Sequence, residues 1–282
     1  RFFHPKSSSN EILKYLLVTG GVPRYLEEVQ NDDHATNTLT RLLLKEEGFL
    51  FNEYEKIFID IFGRRHKTYT KIIDILKEKP MTFTELCSAG KIPKNGKTST
   101  LLHHLILSGF LRKSETWDLK TENLRNGPLY RLTDNYLLFY KRAILPLRKK
   151  IIEKKLGFKT FDQIPNLHSI FGYQFENLIY NNIDTVFDIL NIEHEELINW
   201  GPFYQTKTLR SEACQIDLLI QTKTVIYIFE IKHKALIDKS VINELHEKQK
   251  KIKYPNSLYS LRTGVIYSHD IAPELIKRKM AD

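Results

Sequence analysis

The chain has 282 residues, 41% of them hydrophobic, with 43 Lys plus Arg against 34 Asp plus Glu for a net charge of +9. This composition excludes a disordered chain, and no run of ~18 apolar residues is present to span a membrane. Two cysteines exclude a disulfide framework or a Cys-rich zinc site and point to a reducing, cytoplasmic setting.

The excess charge is local. Residues 1–65 and 166–282 each carry a net −1, whereas 66–140 carry +5 and 141–165 carry +6. A concentrated positive field favours a polyanion, and DNA is the expected partner. The chain opens on Arg1, with no Met and no apolar segment behind a basic start, so a piece of a longer protein is expected.

Residues 10–30 read as a helix, a Gly20-Gly21-Val22-Pro23 break and a second helix, because Gly supplies unusual φ and Pro opens the next helix. Residues 37–62 read as one or two further helices, and 1–65 is expected to be a helical, lid-like segment.

Residues 66–140 carry a different pattern. An amphipathic helix over Thr68–Glu78 stops at Pro80. Thr82-Phe83-Thr84-Glu85 has the capping-box spacing of a short second helix. A third helix is expected over Thr98–Ser108, with Gly109 at its C-terminal end. Strands follow at Phe110–Arg112 and Tyr130–Leu132, joined by a polar loop. Helix, helix-turn-helix and two strands make a winged-helix pattern. Its recognition helix would present Lys94, Lys97, Thr98, Ser99 and His103 to DNA. A winged helix that makes protein contacts instead is the alternative. Residues 141–165 are expected to be a basic helical linker split at Pro146, with Arg148, Lys149 and Lys150 along the nucleic-acid track.

Residues 166–282 alternate helix and strand. The expected order is a helix over Ser169–Tyr180, strands Leu197–Tyr204, Ala213–Gln221 and Val225–Lys232, a helix over Val241–Lys253, a strand Ser260–Ser268 and a helix over Pro273–Lys279. The fold class is therefore α+β multidomain, ending in an α/β domain with a mixed sheet.

The chemistry lies in this last region. Asp217 interrupts an apolar strand, and the next strand ends in Glu230-Ile231-Lys232. Residues two apart in a strand share a face, so Glu230 and Lys232 point together, and Asp217 reaches the same place across the hairpin. Two carboxylates suit Mg²⁺ or Mn²⁺ as cofactor and leave room for a phosphate. Lys232 would hold the attacking water or stabilise charge on the scissile phosphate. Glu176, on the preceding helix, is a third candidate carboxylate. Gln249 and Lys250 read as part of a solvated face. An ion pair at a strand end is the competing reading of Glu-x-Lys.

These residues resemble the PD-(D/E)XK restriction-endonuclease-like nuclease core. The resemblance implies that Asp217, Glu230 and Glu176 bind metal and that Lys232 assists catalysis. Ile216 stands where the family name has Pro. More widely, the chain resembles the C-terminal half of archaeal-type AAA ATPases. The landmarks are Gly20–Leu26, Tyr130-Arg131-Leu132-Thr133-Asp134 with the aromatic run Tyr136–Tyr140, Phe171–Glu176, and Gln215–Leu219. That resemblance implies an ATPase module upstream of Arg1. A catalytically inactive nuclease fold, used for DNA binding, regulation or subunit contact, is the other function it allows, and an oligomer is compatible with it.

Gly90…Gly96-Lys97-Thr98 imitates a phosphate-binding loop, but five residues separate the glycines where four are needed. No ATP site is expected here. His103 and His104 are adjacent and point apart on a helix. Cys87 and Cys214 read as small core residues, and Trp117 and Trp200 as packing or wing residues.

Overall fold

The computed structural model describes residues 7–29, 34–63, 66–125, 127–209 and 211–276. It is an α+β structure in two compact units. Residues 1–113 and 130–178 form the first, and residues 114–129 and 179–282 form the second. Among the described residues no helix is long and apolar enough to cross a membrane.

The first unit opens with α1 (Ser9–Thr19) and α2 (Pro23–Leu26). Gly20 ends α1 in the left-handed region at φ 66° and returns its N–H to Leu16, so the Gly-Gly-Val-Pro break works as expected. The helices α3 (Ala35–Leu43) and α4 (Phe49–Phe62) follow.

A winged helix comes next: α5 (His66–Leu76), β1 (Met81–Thr82), α6 (Phe83–Gly90), α7 (Gly96–Leu107), β2 (Leu111–Ser114) and β3 (Leu129–Leu132). The sheet order is β1-β3-β2. The Thr82–Glu85 capping box forms. Asn95 caps α7 by accepting the Thr98 N–H, which starts the helix two residues earlier than expected.

Beyond β3, α8 (Asn135–Phe139) passes into a π-helical turn over Tyr140–Ile144 and a 3-10 turn over Leu145–Leu147. The α-helix resumes as α9 (Arg148–Ile152). Pro146 has no N–H to offer an α-helix, and the ladder changes pitch around it. Phe161 is fully buried and packs with Phe139 and Phe171, so the 141–165 segment is part of the packed unit.

The landmarks 130–134 and 171–176 interlock. Arg131 donates Nε–H to Asn177 at 2.7 Å, and its guanidinium lies 3.8 Å over the Tyr173 ring. Gln174 and Asn135 exchange hydrogen bonds through their amides and main-chain carbonyls. Asn177 donates to the Leu132 carbonyl and to the Asn135 side chain. All four polar residues are buried, and each makes at least one hydrogen bond to another part of the cluster.

The boundary between the units runs through α10 (Leu167–Asn181). The second unit continues with α11 (Ile183–Leu190), a helix the sequence reading missed. Then come β4 (Leu197–Gln205), β5 (Cys214–Thr222), β6 (Val225–Lys232), β7 (Leu236–Ile237), α12 (Lys239–Lys251), β8 (Ser260–Tyr267), β9 (Asp270–Ile271) and α13 (Pro273–Ile276). Residues 277–279 of the expected last helix lie outside the described residues.

The main sheet has the order β4-β5-β6-β8, with β6 and β8 parallel and the other pairs antiparallel. It is the mixed sheet expected. Ile216, Leu219, Ile226 and Ile228 pack against Leu245 and Ile252 in one core cluster.

The polar loop between β2 and β3 contributes to that core. Trp117 is 1% exposed, packs on Phe203 and donates Nε1–H to buried Gln221 at 2.7 Å. Leu119 is buried beside it. Trp117 is thus a packing residue of the second unit.

Candidate active site

The expected carboxylates meet at the end of β5 and β6. Leu218 faces Phe229 across the ladder, so Asp217 and Glu230 occupy the next opposed positions. The β4–β5 register shifts between Gly201↔Leu219 and Phe203↔Ile216, so β5 carries one residue more than β4 at Asp217–Leu218. Strict alternation would send Ile216 and Asp217 to opposite faces. With the bulge, Ile216 joins the core beside α12, and the Asp217 charge acts on Glu230, Lys232 and Lys248. Bulges re-aim side chains in this way beside active sites.

Glu230 is wholly buried. Lys248 donates to its Oε1 at 2.5 Å, and the Lys232 ammonium lies 2.8 Å from Oε2. Glu244 joins both lysines, at 3.4 Å to Lys232 and 3.1 Å to Lys248. Glu230, Lys232, Glu244 and Lys248 therefore close a four-membered ring of ion pairs. Asp217 Oδ2 accepts the Ile231 N–H at 3.0 Å, and the Asp217 carbonyl accepts the Tyr180 hydroxyl.

Burial pushes the Glu230 carboxyl above the usual carboxylate range, and the neighbouring Asp217 charge adds to it. The two lysines oppose the rise. Burial pulls both lysines down, but their contacts with Glu230 outweigh it and hold them above the ordinary ammonium range. Burial raises Glu244 too, yet its lysine partners leave it below the ordinary carboxylate range.

Asp217, Glu230 and Lys232 are thus brought together as expected. Lys248 and Glu244 were missed. They lie one turn apart on α12, on the face set by buried Val241 and Leu245. Lys250 is exposed and pairs with Glu247, in keeping with a solvated face. Glu176 belongs to the first unit, where Arg131 Nη2 donates to it at 2.9 Å.

Two expected nucleic-acid contacts are corrected. Thr98 is buried, and its hydroxyl donates to the Pro93 carbonyl at 2.6 Å to close the turn before α7. Arg148 is held by Glu55 at 3.1 Å and by the Tyr140 hydroxyl at 2.7 Å, with its guanidinium over the Phe51 ring. The Thr98 side chain is committed inside the fold, and half-buried Arg148 is engaged by its partners. Lys94, Lys97, Ser99, His103, Lys149 and Lys150 are exposed.

The donor set fits a hard divalent ion. The site offers the carboxylate oxygens of Asp217 and Glu230, and both Glu230 oxygens already face ammonium groups, so an ion would displace a lysine to bind. Among the described residues no cluster of three or more His, Cys, Asp or Glu forms a ready-made metal cage. A two-carboxylate site that keeps several waters needs none.

No protein-family model matches the chain, and no curated protein matches it. Two solved structures are similar in part. One is protein VC1899 from Vibrio cholerae, at 10% identity and a TM-score of 0.31, over 82% of this chain and 51% of that one. The chain spans about half of that protein's length. The other is AbfR with its disulfide formed, at 14% identity and a TM-score of 0.23, over 51% of this chain and 84% of that one. Both scores are too low to assign a fold or a function.

Proposed function

We propose that the second unit hydrolyses phosphodiester bonds in DNA with Mg²⁺ or Mn²⁺, and that the chain is the C-terminal part of an AAA-type ATPase. The observation that carries the nuclease reading is buried Glu230, set opposite Asp217 and beside Lys232 at one end of the sheet. Asp217 and Glu230 would hold the ion, which when bound supplies Lewis-acid activation of water and phosphate. Asp217 is oriented by the Ile231 N–H. Lys232, paired with Glu230 and Glu244, would position water or offset phosphate charge. The exposed Lys94, Lys97, Lys149 and Lys150 supply counter-charge for a DNA backbone, and exposed Ser99 and His103 offer hydrogen-bonding groups to it. Support for the ATPase connection is the resemblance of the landmark segments, two of which interlock through Arg131, Gln174 and Asn177.

A second reading is an inactive nuclease fold that serves as a DNA-binding or regulatory module. The ion-pair ring favours it, because two lysines already neutralise Glu230.

Mn²⁺ titration followed by cleavage of plasmid, single-stranded DNA and RNA separates the two. Mn²⁺ uptake and cutting that both vanish in Asp217→Ala support the nuclease. DNA binding without Mn²⁺ uptake supports the inactive module.

A further inference from the structure

A cleft of about 600 Å³ lies within the second unit, away from the carboxylates. Its walls are the 118–125 loop, the end of β4 with the residues after it, and the chain leaving α12. The size suits a small organic ligand, since such pockets measure ~300–1,000 Å³.

Both walls are built by specific contacts. The Gln205 amide donates to the carbonyls of Lys251 and Glu212, and its oxygen accepts the Lys253 N–H at 2.9 Å. This clamps the end of α12 to the end of β4. Opposite, Asp118 Oδ1 accepts the N–H groups of Lys120 and Thr121, which fixes the loop as a tight turn. A site shaped before its ligand arrives loses less on binding.

The lining is of two kinds. Half-buried Tyr254 presents the aromatic surface of the cleft and is backed by the buried core residues Phe203 and Leu119. Lys120 and Lys253 stand exposed at the rim. Neither forms an ion pair among the described residues, whereas Arg125 is matched by Asp118 at 2.7 Å. An aromatic surface beside uncompensated cations fits a ligand with a planar ring and an anionic group. Bases stack on aromatic side chains, and lysines answer phosphates.

The cleft adjoins the helix that serves the carboxylate site. Lys248 and Lys251 are three residues apart on α12, ~4.5 Å along its axis. The Cys214 thiol, next to the Gln205 clamp across β4–β5, lies 3.8 Å from the Lys248 carbonyl.

We propose that this cleft binds a nucleotide, with its base on Tyr254 and its phosphate between Lys120 and Lys253. It thereby holds one unit of the strand that the carboxylate site would cut. The role in cutting rests on the nuclease reading, whereas the binding does not.

The test measures binding of a fluorescent ten-nucleotide single-stranded DNA in EDTA, with AMP as competitor and an abasic oligonucleotide as comparison. Wild type should bind, and the Lys120→Glu plus Lys253→Glu protein should bind at least tenfold more weakly. Tyr254→Leu and the abasic strand should each cost about fivefold or more, by loss of stacking. Displacement by AMP would show that free nucleotides enter the cleft. Binding that resists AMP would show that the site takes a nucleotide only within a strand. Equal affinity of wild type and the double-charge variant would overturn the proposal. So would a loss on charge reversal with no effect of Tyr254→Leu or of the missing bases, since charge alone would then explain binding. Mn²⁺ uptake by the same proteins keeps the two ideas apart. Uptake without cleft-dependent binding sinks this inference alone, and cleft-dependent binding without uptake sinks the nuclease reading alone.

Discussion

The Asp217 carboxylate accepts the backbone N–H of Ile231, the residue between Glu230 and Lys232, at 3.0 Å. The first acid of the site is therefore oriented by the strand that carries the second. Movement of either strand would change the separation of the two carboxylates, so the site and the β5–β6 ladder are one mechanical object.

The ion-pair ring makes metal binding an exchange. Lys248 holds Glu230 Oε1, and a divalent ion must compete with it. A unit charge at ~4 Å is worth ~4 kcal/mol at an effective dielectric of ~20. Lys248→Met should accordingly bind Mn²⁺ at least tenfold more tightly than wild type, as measured by calorimetric titration. Glu230→Gln should bind none.

Gly264 faces Phe229 on the parallel β6–β8 pair. A Cβ there would stand 2.6 Å from the Phe229 ring edge. Gly264→Ala should destabilise the second unit by about 1–3 kcal/mol through overpacking. Gly264→Ala combined with Phe229→Leu should recover part of the loss. Urea unfolding followed by tryptophan fluorescence reads both.

Asp134 caps α8 by accepting the Leu137 N–H at 2.7 Å. Burial pushes its carboxyl up to about 6. The folded state thus holds a proton that the unfolded chain releases near 3.8. Stability from this group is full below ~4 and is lost as pH rises toward 6. Asp134→Asn keeps the cap, because Asn serves as well as Asp there. It should raise stability at pH 7.5 by up to ~3 kcal/mol and flatten the pH dependence between 4 and 6. Thermal melts across that range check the sign.

Trp117→Phe keeps an aromatic ring but gives up part of the indole volume and removes the donor to Gln221 Oε1. A buried acceptor without a partner costs about 1–3 kcal/mol. The second unit's melting temperature should fall by several degrees.

Much of this was legible in the sequence. Asp217 and Glu230 interrupt apolar strands, and a lone acid in such a strand is conspicuous. Glu-x-Lys then defines a face by simple alternation. The turn at Gly20 and the Thr82 cap were legible for the same reason, because they are local. Lys248 and Glu244 were not. They sit in a helix crowded with charge, and only their phase relative to Val241 and Leu245 selects them. Arg148 looked like one more surface cation, since its partners Glu55 and Phe51 lie over ninety positions earlier. Thr98 was misread because the helix began at Gly96, which turned its first turn inward. The bulge at Asp217–Leu218 leaves no mark of its own, as neither Gly nor Pro is needed there.

The loop that leaves the winged helix at 113 and returns at 130 has a consequence for the chain as an inherited object. The second unit is assembled from two separated stretches, so the polypeptide crosses between the units three times. Recombination that transplanted residues 179–282 alone would carry the carboxylates without the indole beneath their sheet. A single proteolytic nick in α10 would leave residues 179–282 held only by noncovalent packing, with the 114–129 stretch as the part of their unit still threaded through the first. The second unit is inherited whole only together with the stretch that the first unit's chain carries.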